Sequence, residues 1–288
     1  MEEIRIGGAL LEVVVLPALG ARLHRIRAFG HDLLRAPDDP DHHREDPFMW
    51  GGYVMAPWCN RIEPEPVMAA GRTIEIGANF VDGTAIHGQV YVRPWQVEGP
   101  GSFVVRGGGD GWPWHYEVQE RIEVVGAEVR IALALTNLDD GPMPAGIGLH
   151  PWFLGPIEVA IRGDVVYDPN TDSPARPAPV AGRTDLRRLA PMPEGLDATW
   201  SAIGDPPVEL HWPTLGIRAV MVVQAPVINI VAANPAGAGA VAVEPETHAP
   251  RGLRRLLDGQ PDAMAILDPG ATLALSLTLA FTREASAR

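Results

Sequence analysis

The sequence predicts an all-β protein, one large antiparallel β-sandwich in which residues 1–288 form a single domain. Three observations predict it. Apolar residues recur at every second position in many short runs, helical periodicity is almost absent, and 29 Pro and 31 Gly punctuate the runs. A parallel sheet needs helical crossovers between its strands, and the spacing leaves no room for them, so antiparallel layers packed face to face are the natural solution.

In chain order, strands are expected at 10–16, 22–29, 72–76, 89–98 and 102–106, most of them bounded by Gly, Pro, Asn or Asp. Between 115 and 124, Tyr116, Val118, Ile122 and Val124 alternate with His115, Glu117, Gln119, Arg121 and Glu123. The Gly-rich stretch Arg106–Gly111 that precedes this run leads into no helix, so it reads as a hairpin connection and not as a dinucleotide fingerprint. Val129, Ile131, Leu133 and Leu135 form the next apolar side, and further strands are expected at 157–161, 208–212, 216–224, 227–233 and 240–244. The last strand sets Leu273, Leu275, Leu277, Leu279 and Phe281 against small and hydroxyl residues. Arg251–Leu257 supports at most two helical turns. Residues 169–193, crowded by Pro169, Pro174, Pro177, Pro179, Pro191 and Pro193, read as a long loop.

Composition narrows the chemistry. All 23 basic residues are Arg, which excludes mechanisms that need a lysine amine, such as a Schiff base or a phosphate-loop lysine. A net charge of −13 disfavours nucleic acid as a partner. The single Cys59 forms no intramolecular disulfide and no thiolate metal cluster, so a reducing, cytoplasmic setting is expected. The N-terminal apolar stretch is broken by Glu12 and Pro17, unlike a signal peptide, and no run approaches the roughly 20 apolar residues of a membrane-spanning helix. No membrane partner is expected.

Five segments join ionisable or polar groups to Gly or Pro: Pro57–Ile62, Ile86-His87-Gly88, Gly148–Phe153, Gly195-Leu196-Asp197 and Val243–Thr247. All are expected at strand ends, where a His beside Gly admits a ligand closely and a His before Pro projects from extended backbone. His42-His43-Arg44-Glu45-Asp46 reads as a solvated loop, because adjacent histidines on extended chain diverge and Arg44 repels a cation. No Gly-x-Ser-x-Gly elbow exists, and nothing in the sequence activates Cys59 as a nucleophile.

The ordered set Asn60-Arg61-Ile62, Ile86-His87-Gly88 with Pro94-Trp95, Trp112-Pro113-Trp114, His150-Pro151-Trp152-Phe153, Leu196-Asp197 and Glu244-Pro245-x-Thr247 resembles the aldose 1-epimerases, the galactose mutarotase family. The resemblance runs from about Trp50 to Leu267-Asp268-Pro269-Gly270. It implies a large twisted galactose mutarotase-like supersandwich, an open cleft for a hexose pyranose, and neither a metal nor an organic cofactor. By motif, Glu244 is implied as general base, His150 as general acid, and His87 as a third catalytic group that helps hold the sugar and hydrogen-bonds the same region to stabilise developing charge. Arg61, Asn60, Asp197 and Trp152 are implied as sugar-holding groups. Two departures bear on the sugar: Gln89 follows His87-Gly88 where many members carry a second Gly, and His-Pro-Trp-Phe stands where many galactose mutarotases have His-Ser-Tyr-Phe.

Anomer interconversion requires removing the C1 hydroxyl proton while protonating the ring oxygen, so a carboxylate at Glu244 and an imidazolium at His150 suffice. Trp58, Trp152 and Trp200 are candidate platforms for the C–H face of a sugar. A hexose-6-phosphate 1-epimerase, with Arg61, Arg93 or Arg121 gathered at the cleft, and a non-catalytic carbohydrate-binding sandwich are the alternatives. The expected partner is a small sugar, and the expected state a monomer or homodimer.

Overall fold

The computed structural model describes residues 2–169 and 175–285. One antiparallel sheet of 18 strands, accompanied by three two-stranded ribbons, curls on itself. The Trp112–Val125, Glu128–Asn137, Thr272–Arg283 and Ile217–Gln224 strands are consecutive neighbours in one part of the sheet. Gly52–Met55, Gly148–Leu154, Ala240–Glu246 and Asn229–Ala233 are consecutive neighbours in another. The 16-residue strand Asp197–Trp212 joins the two parts: its first residues pair with Asn229–Ala233 and its last with Ile217–Met221.

The two-residue period decides what lies between and outside the layers. One apolar cluster runs from Leu11 to Phe281 and takes Val54, Leu149, Phe153, Val241, Val243, Ile230, Ala232, Ala198 and Trp200 from the second part of the sheet. The alternate residues of those strands therefore face the other way. They make the floor of the site.

Most expected strands form. The 89–98 run does not: the chain turns after Gly88, Val90 O accepts both the Arg93 N–H and the Trp95 indole N–H, and only Gln96–Gly99 is extended. Its Val and Tyr residues gave it strand composition, but local turns satisfy its backbone. The 72–76 strand shortens to Arg72–Ile74. The Arg106–Gly111 hairpin and the helix, Gly252–Leu257, form as expected. Within 169–193, Pro177–Pro179 and Ala190–Pro191 add short edges to the Glu158–Tyr167 strand; Pro174 lies outside the described residues.

Candidate active site

The site is built by strand register. Gly148 pairs with Glu246 and Trp152 with Ala242, which sets His150 opposite Glu244. On its other side His150 pairs with Tyr53, while Glu244 pairs with Val231. His150 and Glu244 thus share one cross-strand row on the face turned away from the core, and a salt-bridge contact of 3.1 Å joins Nε2 of one to Oε1 of the other. Both side chains are buried, and Tyr53 stacks on His150 with ring centroids 4.6 Å apart. His150 and Glu244 stand within their strands, not at the strand ends, and the segment around Phe48 and the turn at His87 cover the sheet face there.

His87 enters from that turn. Its ring stands edge-on to His150 at 5.0 Å, and both it and Gly88 hold positive φ. A Cβ on Gly88 would sit 2.0 Å from Ala56 O, so only glycine lets the turn close against the segment that follows Met55. Asn60, itself at positive φ, donates its backbone N–H to His87 Nδ1 at 3.3 Å and accepts the His87 N–H on its carbonyl. That bond makes Nδ1 an acceptor, so His87 is a neutral imidazole with its proton on Nε2. Burial, His150 and Arg61 all push its pKa well down, in agreement. Ligand-capable atoms of His87, His150 and Glu244 lie within 4.8 Å of one another. Metal ligation by either nitrogen of His87 would cost the Asn60 hydrogen bond, which favours His87 as a hydrogen-bond donor over a metal ligand.

Burial pushes the Glu244 carboxyl well above its ordinary range, with Glu246 and Asp197 adding to it and Arg61 opposing. Burial pushes His150 down to about 3. Both shifts disfavour charge on the isolated group, so burial favours a carboxyl and an imidazole that hold one proton between them.

Arg61, from the short Arg61–Ile62 strand, bonds Asp82 through Nε at 2.7 Å and lies over Phe80. Its charge reaches His87, Asp197, Glu244 and Glu246. Asp197 opens the Asp197–Trp212 strand and is exposed, while the protein around it raises its pKa by desolvation. Its register row runs through Ala233 and Ala242 to Trp152. Trp152 packs beside His150 and donates its indole N–H to Phe48 O at 2.6 Å. All seven expected site residues therefore gather on and around one sheet face. Two of the three expected platforms do not: Trp58 and Trp200 are fully buried in the core, Trp200 by the inward phase of its strand and Trp58 from the irregular segment after Met55, where it packs on Trp112.

The profile of the aldose 1-epimerase family matches residues 3–169, more than half of the chain. The chain belongs to the aldose 1-epimerase family. No curated protein sequence matches it significantly. Solved structures share its fold at low identity. A candidate aldose 1-epimerase of Escherichia coli K12 superposes with a TM-score of 0.82 at 17% identity, covering 98% of this chain and 99% of its own. A galactose mutarotase-like protein of Clostridium acetobutylicum gives 0.82 at 16%, over 97% of this chain and 95% of its own. The galactose 1-epimerase of Lactobacillus acidophilus NCFM gives 0.76 at 16%, over 97% and 93%. The fold is the galactose mutarotase-like sandwich.

This aldose 1-epimerase family member also carries site residues that sequence reasoning missed. Tyr53 had no signal, since its stacking on His150 depends on a strand pairing that spans nearly a hundred residues. Glu246 had one: it lies two residues from Glu244 and so on the same strand face. The His42–Asp46 segment also differs from expectation. His42–Glu45 is one helical turn, and its His43 is buried with Nε2 2.9 Å from His24 Nδ1, because helical curvature separates the two neighbouring imidazoles. Cys59 is buried, and burial pushes its thiol well up, which leaves it a weak nucleophile.

Proposed function

We propose that this member of the aldose 1-epimerase family interconverts the α and β anomers of a neutral aldose by paired acid and base catalysis, without a metal or organic cofactor. The observation that carries the reading is the buried His150–Glu244 pair, with 3.1 Å between Nε2 and Oε1 and His87 edge-on to the imidazole. Moving the shared proton from Oε1 to Nε2 makes Glu244 a carboxylate and His150 an imidazolium without drawing on solvent. Glu244 then takes the C1 hydroxyl proton as His150 gives its proton to the ring oxygen; the C1–O5 bond breaks and C1=O forms. After rotation about C1–C2, the C5 hydroxyl attacks the other face of the aldehyde and returns its proton to His150, and Glu244-H protonates the C1 oxygen. The Nε2–H of His87 is suited to hydrogen-bond the oxygen on which charge develops.

Charge around the cleft favours a neutral sugar. Arg61 is already paired with Asp82, and Asp197, Glu244 and Glu246 stand near it. Arg93 bonds Asp110, and Arg121 is exposed on the strand phase opposite to the core. Arg61, Arg93 and Arg121 therefore do not form a cluster of free guanidinium groups for a 6-phosphate. Proton NMR or polarimetry of freshly dissolved α-glucose, α-galactose and glucose 6-phosphate, before and after chelator treatment, tests the reading. Faster equilibration of a neutral sugar, unaffected by chelation, is expected. Binding without acceleration favours the non-catalytic alternative, and preference for the phosphate favours the phosphosugar one.

A further inference from the structure

We propose that Glu246 is a positioning residue for this reaction: of the two buried carboxyls on the Ala240–Glu246 strand it loses its proton first, and its charge holds the remaining proton on the Glu244–His150 pair. The inference rests on the anomer-interconversion reading for its function and on geometry for its substance. Glu244 and Glu246 stand two residues apart on one strand, hence on one face, with Cβ atoms roughly 6–7 Å apart. Glu246 is completely buried and neither of its oxygens has a hydrogen-bond partner. Directly opposite it in register is Asn229, equally buried, with both amide atoms unpartnered. On the other side is Gly148, where a Cβ would come within 2.9 Å of Cys59 Sγ, so no side chain separates the carboxyl from that wall.

These surroundings decide which carboxyl ionises first. The proton of Glu244 has an acceptor in His150 Nε2, which stabilises the protonated pair. No hydrogen bond holds the proton of Glu246, and the unpartnered Asn229 amide opposite serves the ionised form better, because a bond from its N–H to a carboxylate is charge-assisted and stronger than the one its oxygen would accept from the neutral acid. The groups facing Glu246 are Glu244 on its own strand, Asp197 and Arg61 across the cleft, and Cys59 over Gly148; His150 and His87 face Glu244, and Tyr53 lies on His150. Of the cations nearby, Arg61 is neutralised by Asp82, and Arg22, beyond His150 over the Tyr53 ring, donates its Nη hydrogen bonds to the carbonyls of Trp50, Pro47 and Tyr91, so a second negative charge on this strand face is opposed. An ionised Glu246 therefore delays loss of the catalytic proton as pH rises.

Glu246→Gln keeps shape and hydrogen-bonding reach but never ionises. The expected result is that the alkaline limb of kcat/KM for anomer equilibration moves to lower pH by about one unit. A limb that stays in place or moves upward overturns the proposal, and a role in packing alone predicts no movement. Carbon-13 NMR of the glutamate carboxyls in the sugar-free protein gives a second readout that needs no activity: Glu244 should ionise at lower pH in Glu246→Gln than in the parent, and ionisation at the same pH overturns the dyad. If the parent protein accelerates no sugar, the functional reading fails while the NMR comparison still decides the dyad. Glu246→Met, which fills the space without polar atoms, is expected to shift Glu244 in the same direction.

Discussion

At the scale of single residues, burial shapes the candidate site. The face of the sheet that carries His150 and Glu244 is roofed, so neither group holds a charge without the other. Glu244→Gln retains shape but accepts no proton, and kcat is expected to fall by at least about 10²-fold with sugar affinity much less changed. His150→Asn should act alike. Steady-state kinetics, after circular dichroism confirms folding, separate this from uniform binding, in which affinity falls and turnover survives. The pH dependence carries its own sign. In the proposed mechanism activity needs one proton on the pair, and a second is added only near the His150 value of about 3. The kcat/KM profile is therefore expected to stay level through the ordinary imidazole range near 6.5, with an acid limb close to 3. A step near 6.5 in the measured profile would show that His150 titrates as an exposed imidazole and sink this account.

At the scale of elements, a turn and a register matter more than any strand's composition. The strand that ends at Met55 and the His87 turn meet where Gly88 crosses Ala56. Gly88→Ala would force a Cβ to within 2.0 Å of Ala56 O at a φ of +76, so the turn must move and His87 with it. A loss of about 1–3 kcal/mol in stability is expected, together with a fall in kcat/KM. Urea denaturation and kinetics on the same variant measure both. An unchanged kcat/KM would mean that the position of His87 is not set by this turn. Alternation was legible in the sequence at this scale: the runs at 115–124, 129–135 and 272–282 carry their apolar residues on the side the core covers. The 89–98 run misled because its residues suit a strand, while the glycine before it and Pro94 within it favour turns.

At the scale of the whole molecule, the core holds a carboxyl that no neighbour satisfies. Glu120 takes the inward phase of the Trp112–Val125 strand with Tyr116, Val118 and Ile122, between Phe103 and Leu133 in register. It is fully buried without a hydrogen-bond partner, and burial alone pushes its pKa well up. A raised carboxyl pKa in the folded state means that its stability contribution is complete below the unfolded value near 4.5 and is lost as pH rises through the folded one. Stability is therefore expected to decline over that window. Glu120→Met should flatten the decline and, by removing an unsatisfied polar group, add about 1–3 kcal/mol at neutral pH. Urea midpoints of parent and variant across pH 4 to 8 check it, and parallel curves would refute it.

The sequence by itself determined the strand phases, the all-β class and the residue types of the site, because alternation and turn chemistry are local and written every two residues. It also placed Glu246 beside Glu244 on one face. Only the tertiary structure decided that His150 and Glu244, 94 residues apart, sit opposite one another, since register and strand neighbours follow from how the whole sheet curls around its core. The same curl sent Trp58 and Trp200 inward and brought His87 over the pair. The resting charges were decided there as well, because a group's pKa depends on what buries it, and burial here is the joint work of strands, turns and roof that no single segment encodes.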